Sequence, residues 1–452
     1  MSEESKSDLE RLFDISTNDS DLLTVQTTVD TGFEWQAVDE CKEKISPNLR
    51  VVKDRGKIFF NVNSNDFSKV RKLRSVDNIY VIASIQYFPY DSENPDLNLN
   101  LFRESVRTCA QLKKCLNAWK EITRFPGKLY PSLEDYQSAV EIYKAEKEQN
   151  KNDEKVPGSK KRGCDPAFGG EDNVLSFRVS CERTGTHNFD SSQVACVIGG
   201  EMQDLYHWIV DLTTYQLEVL CKITHGQMIM GLRVTPESLH RRNIKYFGPT
   251  TLRATIAYNL LSLADPKPGD IIVDPMCGGG SIPIEGALEL SQSFVIGGDN
   301  HEKAVERSRL NFAALKDSFK CDLIRWDVMQ LPFKDSYIDA FVTDMPFGKR
   351  MGSMFDNRVL YKKYILELAR AVRVKHGKIV LLTYDRRSMV GALQVAKNLL
   401  KVKKMLGVSM GGLNAAVYVL KRTNLSYEQF KLSISNFSNS SGQREYVKDN
   451  GN

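Results

Sequence analysis

At 452 residues the chain is too long for a single hydrophobic core, and two or three domains are expected. A hydrophobic share of 41% and a charged share of 26% are ordinary for a globular protein in water, and no apolar run reaches the roughly 18 residues that a membrane span needs. The net charge of +5 leans toward an anionic partner, while nine scattered cysteines without a Cys-x-x-Cys pair read as reduced cytoplasmic thiols and exclude a disulfide framework or a zinc site.

The acidic, polar start, Met1 to Glu10, is neither a signal nor a transit peptide, and residues 1–20 read as a disordered tail. From Leu22 the pattern becomes strand (23–29), helix (34–45), strands (51–52 and 57–62), helix (67–73) and strand (78–83). This alternation predicts a small ferredoxin-like α/β sandwich over residues 21–100. Residues 100–140 carry a helical pattern and 145–173 lack apolar side chains. The stretch 101–173 therefore reads as a helical segment followed by a disordered insertion. Order resumes at Val174 with a strand (176–183), a helix (191–208) and strands including 217–222 and 228–233, which predicts a second α+β domain over 174–235.

The remainder, 236–425, is a regular βα alternation, followed by a tail over 426–452. Strands are expected at 271–276, 294–299, 322–328, 337–344, 378–384, 404–410 and 415–421. Helices separate the first six, and Gly411 to Asn414 makes the last two a hairpin. Five parallel strands closed by an antiparallel pair give a doubly wound seven-stranded α/β sheet with an antiparallel edge.

Two motifs carry chemistry. Asp274-Pro275-Met276-Cys277-Gly278-Gly279-Gly280-Ser281 turns from the first of these strands into a helix, at the carboxyl end where open α/β sheets bind ligands. Its glycines let a ligand approach backbone amides. Neither a Lys-Ser/Thr pair nor the wider Gly-x-Gly-x-x-Gly spacing of phosphate loops is present. A bare strand-to-helix turn would need no acid, and Asp274 suits a cationic, amino-bearing ligand better than a pyrophosphate. Asp299 ends the second strand, where such sheets grip ribose hydroxyls. Asp327 ends the third, where a carboxylate can accept from an adenine amine. Each acid alone is more often a solvated strand end, but acids ending three successive strands point to one nucleoside-like ligand. With the turn residues Pro275, Met276, Cys277, Gly278 and Gly280, and with Asn300 and Val328 beside the second and third acids, they form the expected cofactor-binding set. Cys277 has no partner motif for a nucleophile and reads as packing. The histidines have no metal-ligand spacing.

The second motif, Asp344-Met345-Pro346-Phe347, closes the fourth strand opposite the glycine turn. An aryl amine is a poor nucleophile because its lone pair is delocalised. A carboxylate and a backbone carbonyl that accept its two hydrogens would draw the nitrogen toward sp³ geometry, and Phe347 could stack on the base. Arg241, Arg242, Lys245, Lys349 and Arg350 near this cleft are candidates to hold a polyanion. Arg178, Arg183 and Lys222 in the preceding domain are weaker ones.

Asp-Pro-x-Cys-Gly-x-Gly together with Asp-x-Pro-Phe-Gly resembles the class I S-adenosylmethionine-dependent N-methyltransferases. Leu73 to Asn78, Ser238 to Asn243, Phe247 to Arg253 and Asp344 to Gly352 resemble the THUMP domain-containing protein 3 family of eukaryotic tRNA guanine-N2-methyltransferases. The resemblance spans roughly residues 22–425 outside the insertion. It implies a THUMP RNA-binding domain over 174–235, S-adenosylmethionine as methyl donor, and guanosine N2 at the sixth nucleotide of the tRNA acceptor stem as target. Related bacterial and archaeal enzymes usually carry Pro where Met345 stands. The resemblance also implies a small zinc-binding activator subunit. Its expected seat is the third strand, an edge strand with Leu323 and Trp326 offering apolar area. The rival readings are an adenine or cytosine amino methyltransferase and a non-catalytic RNA-binding protein on the same fold.

Overall fold

The computed structural model describes residues 6–90, 93–153, 163–166, 169–315, 320–346 and 354–433. The chain divides into two compact units, one of Met1–Val29 with Ala37–Leu239, the other of Asp30–Gln36 with His240–Asn452. Among the described residues no helix is long and apolar enough to cross a membrane.

The first unit opens with α1 (Asp8–Thr17), inside the segment expected to be a disordered tail. A capping box explains the helix: the Ser7 hydroxyl accepts from the Glu10 amide, and the Glu10 carboxylate accepts from the Ser7 amide. Its buried Leu12 packs with Phe59, Tyr80 and Leu220, contacts that a polar composition does not reveal. Then follow β1 (Leu22–Thr28), α2 (Glu34–Lys44), β2 (Val51–Asp54), β3 (Lys57–Asn63), α3 (Phe67–Val70) and β4 (Asn78–Tyr87). Their antiparallel order β2-β3-β1-β4 is the ferredoxin-like arrangement.

Three helices come next, α4 (Pro95–Arg107), α5 (Leu112–Thr123) and α6 (Leu133–Asp153). The last runs well into the stretch expected to be disordered, because Ala, Glu, Lys and Gln are strong helix formers whether or not an apolar face accompanies them. The rest of that insertion lies partly outside the described residues. The unit closes with β5 (Gly163–Cys164), β6 (Ser176–Thr184), α7 (Ser191–Tyr206), β7 (Ile209–Val210), β8 (Thr214–Tyr215), β9 (Leu217–Thr224) and β10 (Gln227–Arg233). β10 pairs antiparallel with β4, from Gln227 opposite Tyr87 to Arg233 opposite Tyr80. One eight-stranded sheet, β2-β3-β1-β4-β10-β9-β6-β7, therefore runs through both stretches that the sequence reads as separate domains.

The second unit contains α8 (Ala254–Ala264), β11 (Ile271–Asp274), α9 (Ser281–Glu289), β12 (Phe294–Asp299), α10 (Glu302–Ala313), β13 (Asp322–Arg325), β14 (Ala340–Asp344), α11 (Met354–Ala371), β15 (Lys378–Thr383), α12 (Arg386–Val395), β16 (Leu400–Met410) and β17 (Leu413–Arg422). Its sheet order is β13-β12-β11-β14-β15-β17-β16, parallel from β13 to β15 and antiparallel beyond. Val273, Phe341, Ile379 and Leu381 anchor its core against Ile365 and Leu368 of α11. β13 does lie at the edge, but it stops at Arg325, short of the expected Val328. Trp326 there turns inward and donates its indole N–H to the Pro275 carbonyl at 3.0 Å, so it is buried and offers no edge surface. The exposed apolar side chain on this edge is Ile324.

Candidate active site

Strand order reverses between β11 and β14, and ligands of doubly wound sheets lie at such a switch point. A cavity of about 320 Å³ opens at their carboxyl ends. Asp274, Pro275, Met276, Cys277 and Gly278 form one wall. Asp299, Asn300 and Val328 also reach it, as do Asp344, Met345 and Pro346 opposite. Gly280 stands back from the cavity. Its φ of 86° ends the turn as the N-cap of α9, and a side chain there would press on the Phe312 ring. Asp327 does not line the cavity, because its carboxylate accepts from the Met329 amide at 2.9 Å and its side chain is exposed.

Side chains that the sequence did not single out hold the glycine turn. The Ser308 hydroxyl donates to the Gly278 carbonyl at 2.8 Å, and Asn311 Nδ2 donates to the Gly279 carbonyl at 2.9 Å. Both residues are fully buried on α10. Asp299 Oδ2 accepts from the Gly278 amide at 3.0 Å, and Oδ1 accepts from the His301 amide at 2.9 Å. Asp299 is thus a strut of the turn as well as a cavity wall. Cys277 packs 3.7 Å from the Ser308 hydroxyl, and burial holds its thiol well above the usual range, as expected of a packing residue.

The opposite wall is built for charge. Among the described residues, Asp344 Oδ1 is buried without a hydrogen-bond partner. Burial first, and the neighbouring Asp274 second, push its carboxyl well above the usual carboxylate range. Burial likewise raises Asp274 to about 7, against an accepted hydrogen bond from the Met276 amide. Beyond Asp344 the Pro346 carbonyl accepts from the Tyr361 hydroxyl at 2.6 Å and from Asn357 Nδ2 at 3.4 Å. The Tyr361 hydroxyl also meets Thr383 Oγ1 at 3.0 Å. This buried network fixes the turn after β14, and among the described residues it leaves Asp344 Oδ1 without a hydrogen-bond partner. Phe347, Lys349 and Arg350 lie outside the described residues.

Among known families, the RMKL-like methyltransferase domain matches residues 241–415. A Bos taurus protein named tRNA (guanine(6)-N(2))-methyltransferase THUMP3 is 38% identical over 461 residues, covering 90% of this chain and 89% of its own. The chain belongs to the THUMP3 methyltransferase family. The Homo sapiens member is 36% identical over 91% of this chain and 90% of its own. TrmN from Thermus thermophilus shares the fold with a TM-score of 0.66 at 20% identity, over 88% of this chain and 99% of TrmN. The methyl donor of this THUMP3-family enzyme is S-adenosylmethionine. The cavity suits that donor: two buried carboxyls, both pushed toward their protonated forms, face a space in which a cation would restore their charge.

The basic candidates divide by surroundings. Arg178 pairs with buried Glu218 at 2.6 Å and lies over the Tyr215 ring, and Arg242 pairs with buried Glu285 at 2.8 Å. Their guanidinium groups neutralise interior acids, so neither is presented to a polyanion. Arg183 is half-buried against His187, and Lys222 is partly covered, 3.7 Å from Glu182. Arg241 and Lys245 are exposed. Among the described residues no group of three His, Cys, Asp or Glu side chains could hold a metal.

Proposed function

We propose that this enzyme transfers the methyl group of S-adenosylmethionine to the exocyclic N2 of a guanosine in tRNA, at the sixth nucleotide of the acceptor stem. Asp344 Oδ1 carries the reading, as a buried acceptor in the wall of the donor cavity without a partner among the described residues. Asp344 and the Met345 carbonyl take the two amine hydrogens and draw the nitrogen lone pair out of conjugation. Tyr361 and Asn357 keep the Pro346 carbonyl engaged, so the turn presents the other two acceptors in fixed geometry. S-adenosylmethionine supplies a methyl group already activated on a sulfonium, and the protein's part is positioning and charge. After transfer N2 must lose a proton, and the raised carboxyl of Asp344 suits it to accept that proton at Oδ1. Asp274 and the turn from Pro275 to Gly278 hold the methionine part of the donor. Asp299 and Asn300 face its ribose, and Val328 its adenine.

The names of the relatives support tRNA and the sixth position. A paired guanosine has to leave its stack to enter the cavity, at about a few kcal/mol. The first unit, with its THUMP-like strands, captures the RNA, and Arg183, Lys222, Arg241, Lys245, Lys349 and Arg350 hold its backbone. The open edge of β13, with Ile324 exposed, supports a small zinc-binding activator subunit as partner. Nine unpaired cysteines agree with a cytoplasmic setting. The test is incubation of the enzyme, alone and coexpressed with the activator, with donor and a tRNA transcript, followed by nucleoside mass spectrometry. N2-methylguanosine at position six is expected. A methylated adenosine or cytidine replaces the target, and full activity of the lone chain removes the partner.

A further inference from the structure

The second unit is discontinuous. A short N-terminal segment, Asp30–Gln36, belongs to it rather than to the chain that flanks it. Thr31 bridges antiparallel to Ser409 near the end of β16, with the Ser409 amide donating to the Thr31 carbonyl at 2.9 Å. Gly32 follows at φ 104° and packs so closely on Gly407 and Val408 that any side chain there would collide with their backbone. Phe33 is fully buried. The buried Asp30 carboxylate accepts from Arg253 Nη1 at 3.0 Å.

Arg253 is the N-cap residue of α8 and directly follows Leu252, which with Thr250 lines the donor cavity. The Leu252 carbonyl accepts from Ser281, another cavity residue, at 2.8 Å. Tyr384, just past β15, senses Asp344, Asp30 and Arg253 together. Burial raises its phenol to about 12, with Asp344 and Asp30 adding to the rise and Arg253 opposing it. Asp30 and Arg253 thus lie in the same electrostatic neighbourhood as the acceptor assigned to the target amine.

We propose that Asp30 and Arg253 are positioning residues for methyl transfer: the segment Asp30–Gln36, docked on β16, uses this ion pair to set the adjoining wall of the donor cavity at Thr250 and Leu252. The proposal rests on the reading of that cavity as the S-adenosylmethionine site. Arg253 does not touch the reacting atoms. It acts through the adjoining backbone, where a small displacement of a cavity wall is felt in binding and turnover.

The test uses the full chain with Asp30→Asn, which keeps the shape and removes the charge, Arg253→Gln, and the double variant. Donor affinity is measured by titration calorimetry, and kcat and KM with tRNA. Each single variant should weaken donor binding about tenfold and leave KM for tRNA unchanged, and the double should be no worse than either single because the pair acts as one unit. Arg253→Lys, which retains the charge, should keep affinity within about twofold. Wild-type donor affinity in both singles, or losses that simply add in the double, overturns the proposal. So does a loss in Arg253→Lys as large as that in Arg253→Gln. Asp274→Asn separates the two readings: normal donor binding in that variant removes the cavity assignment itself, whatever the ion pair does.

Discussion

Four strand-end acids look alike in the sequence, yet they fall into two pairs. Asp274 and Asp344 end β11 and β14, the two strands that meet at the switch point, and burial pushes both carboxyls upward. Asp299 and Asp327 belong to the outer side of the sheet, at the end of β12 and just past β13. Their oxygens accept from backbone amides, those of Gly278 and His301 for Asp299 and that of Met329 for Asp327. A carboxylate oxygen held by amides builds a turn, whereas one without a partner, as Asp344 Oδ1 is among the described residues, waits for a ligand to complete it; Asp274 stands between the two, accepting from the Met276 amide while burial raises its carboxyl. Position across the sheet, rather than residue type, decides which acids can do chemistry.

The central pair carries the largest expected effects. Asp344→Ala should lower kcat by about 10²–10³-fold, roughly 3–4 kcal/mol, with a much smaller loss of donor affinity. Steady-state kinetics with tRNA, paired with calorimetry of donor binding, checks both halves. A variant with normal turnover would move the amine site elsewhere.

Asp274 should reveal itself through pH. Its native pKa, about 7, lies above the ordinary value of 3.8, so between these limits the donor-free native state holds a proton that the unfolded chain has lost. Stability of the donor-free protein should therefore fall as pH rises from about 4 to about 7. Donor affinity should rise through pH 7, with proton release on binding. Asp274→Asn should lessen the slope of both curves, with Asp344 supplying the remainder, weaken binding about tenfold at pH 8, and raise the donor-free Tm there. Calorimetry in buffers of different ionisation enthalpy counts the proton. An Asp274→Asn protein with the wild-type pH dependence assigns the titration to another group.

The outer pair should respond less. Asp299→Asn loosens the Gly278 turn and should weaken donor binding about fivefold to tenfold, an effect of about 1 kcal/mol that titration resolves. Asp327→Ala should change donor affinity by no more than about twofold, since its carboxylate is exposed and serves its own turn. A larger loss there than at Asp299 would erase the distinction between centre and rim.

The sequence makes this site legible wherever backbone chemistry is local. The glycine turn and the acid after β14 announce themselves because a ligand-bearing turn needs small residues and a strand end. The same reading treats Asp327 as equal to Asp299, because spacing along the chain does not say which carboxylate folds back on its own amide. Arg178 and Arg242 read as surface cations, although their acids, Glu218 and Glu285, arrive from 40 and 43 residues away. Trp326 reads as core or as contact surface for a partner, and the structure buries it against the carbonyl of Pro275, just past β11. Asn357 and Tyr361 left one usable trace: polar groups one helical turn apart, on the face of α11 that also carries Ile365 and Leu368. Helical periodicity places them inward, but only the packing of α11 shows that they clasp Pro346.

The junction of β4 with β10 also has a consequence for biosynthesis. β4 is apolar on both faces, and its second edge finds Gln227–Arg233 only after a further 140 residues have been made. At ribosomal speeds that interval is on the order of ten seconds. Throughout it a nascent chain with a completed β1–β4 sheet presents an unpaired hydrophobic strand, a substrate for holding chaperones. Ribosome-stalled chains ending before residue 227 should be captured by such chaperones and released once β10 has emerged.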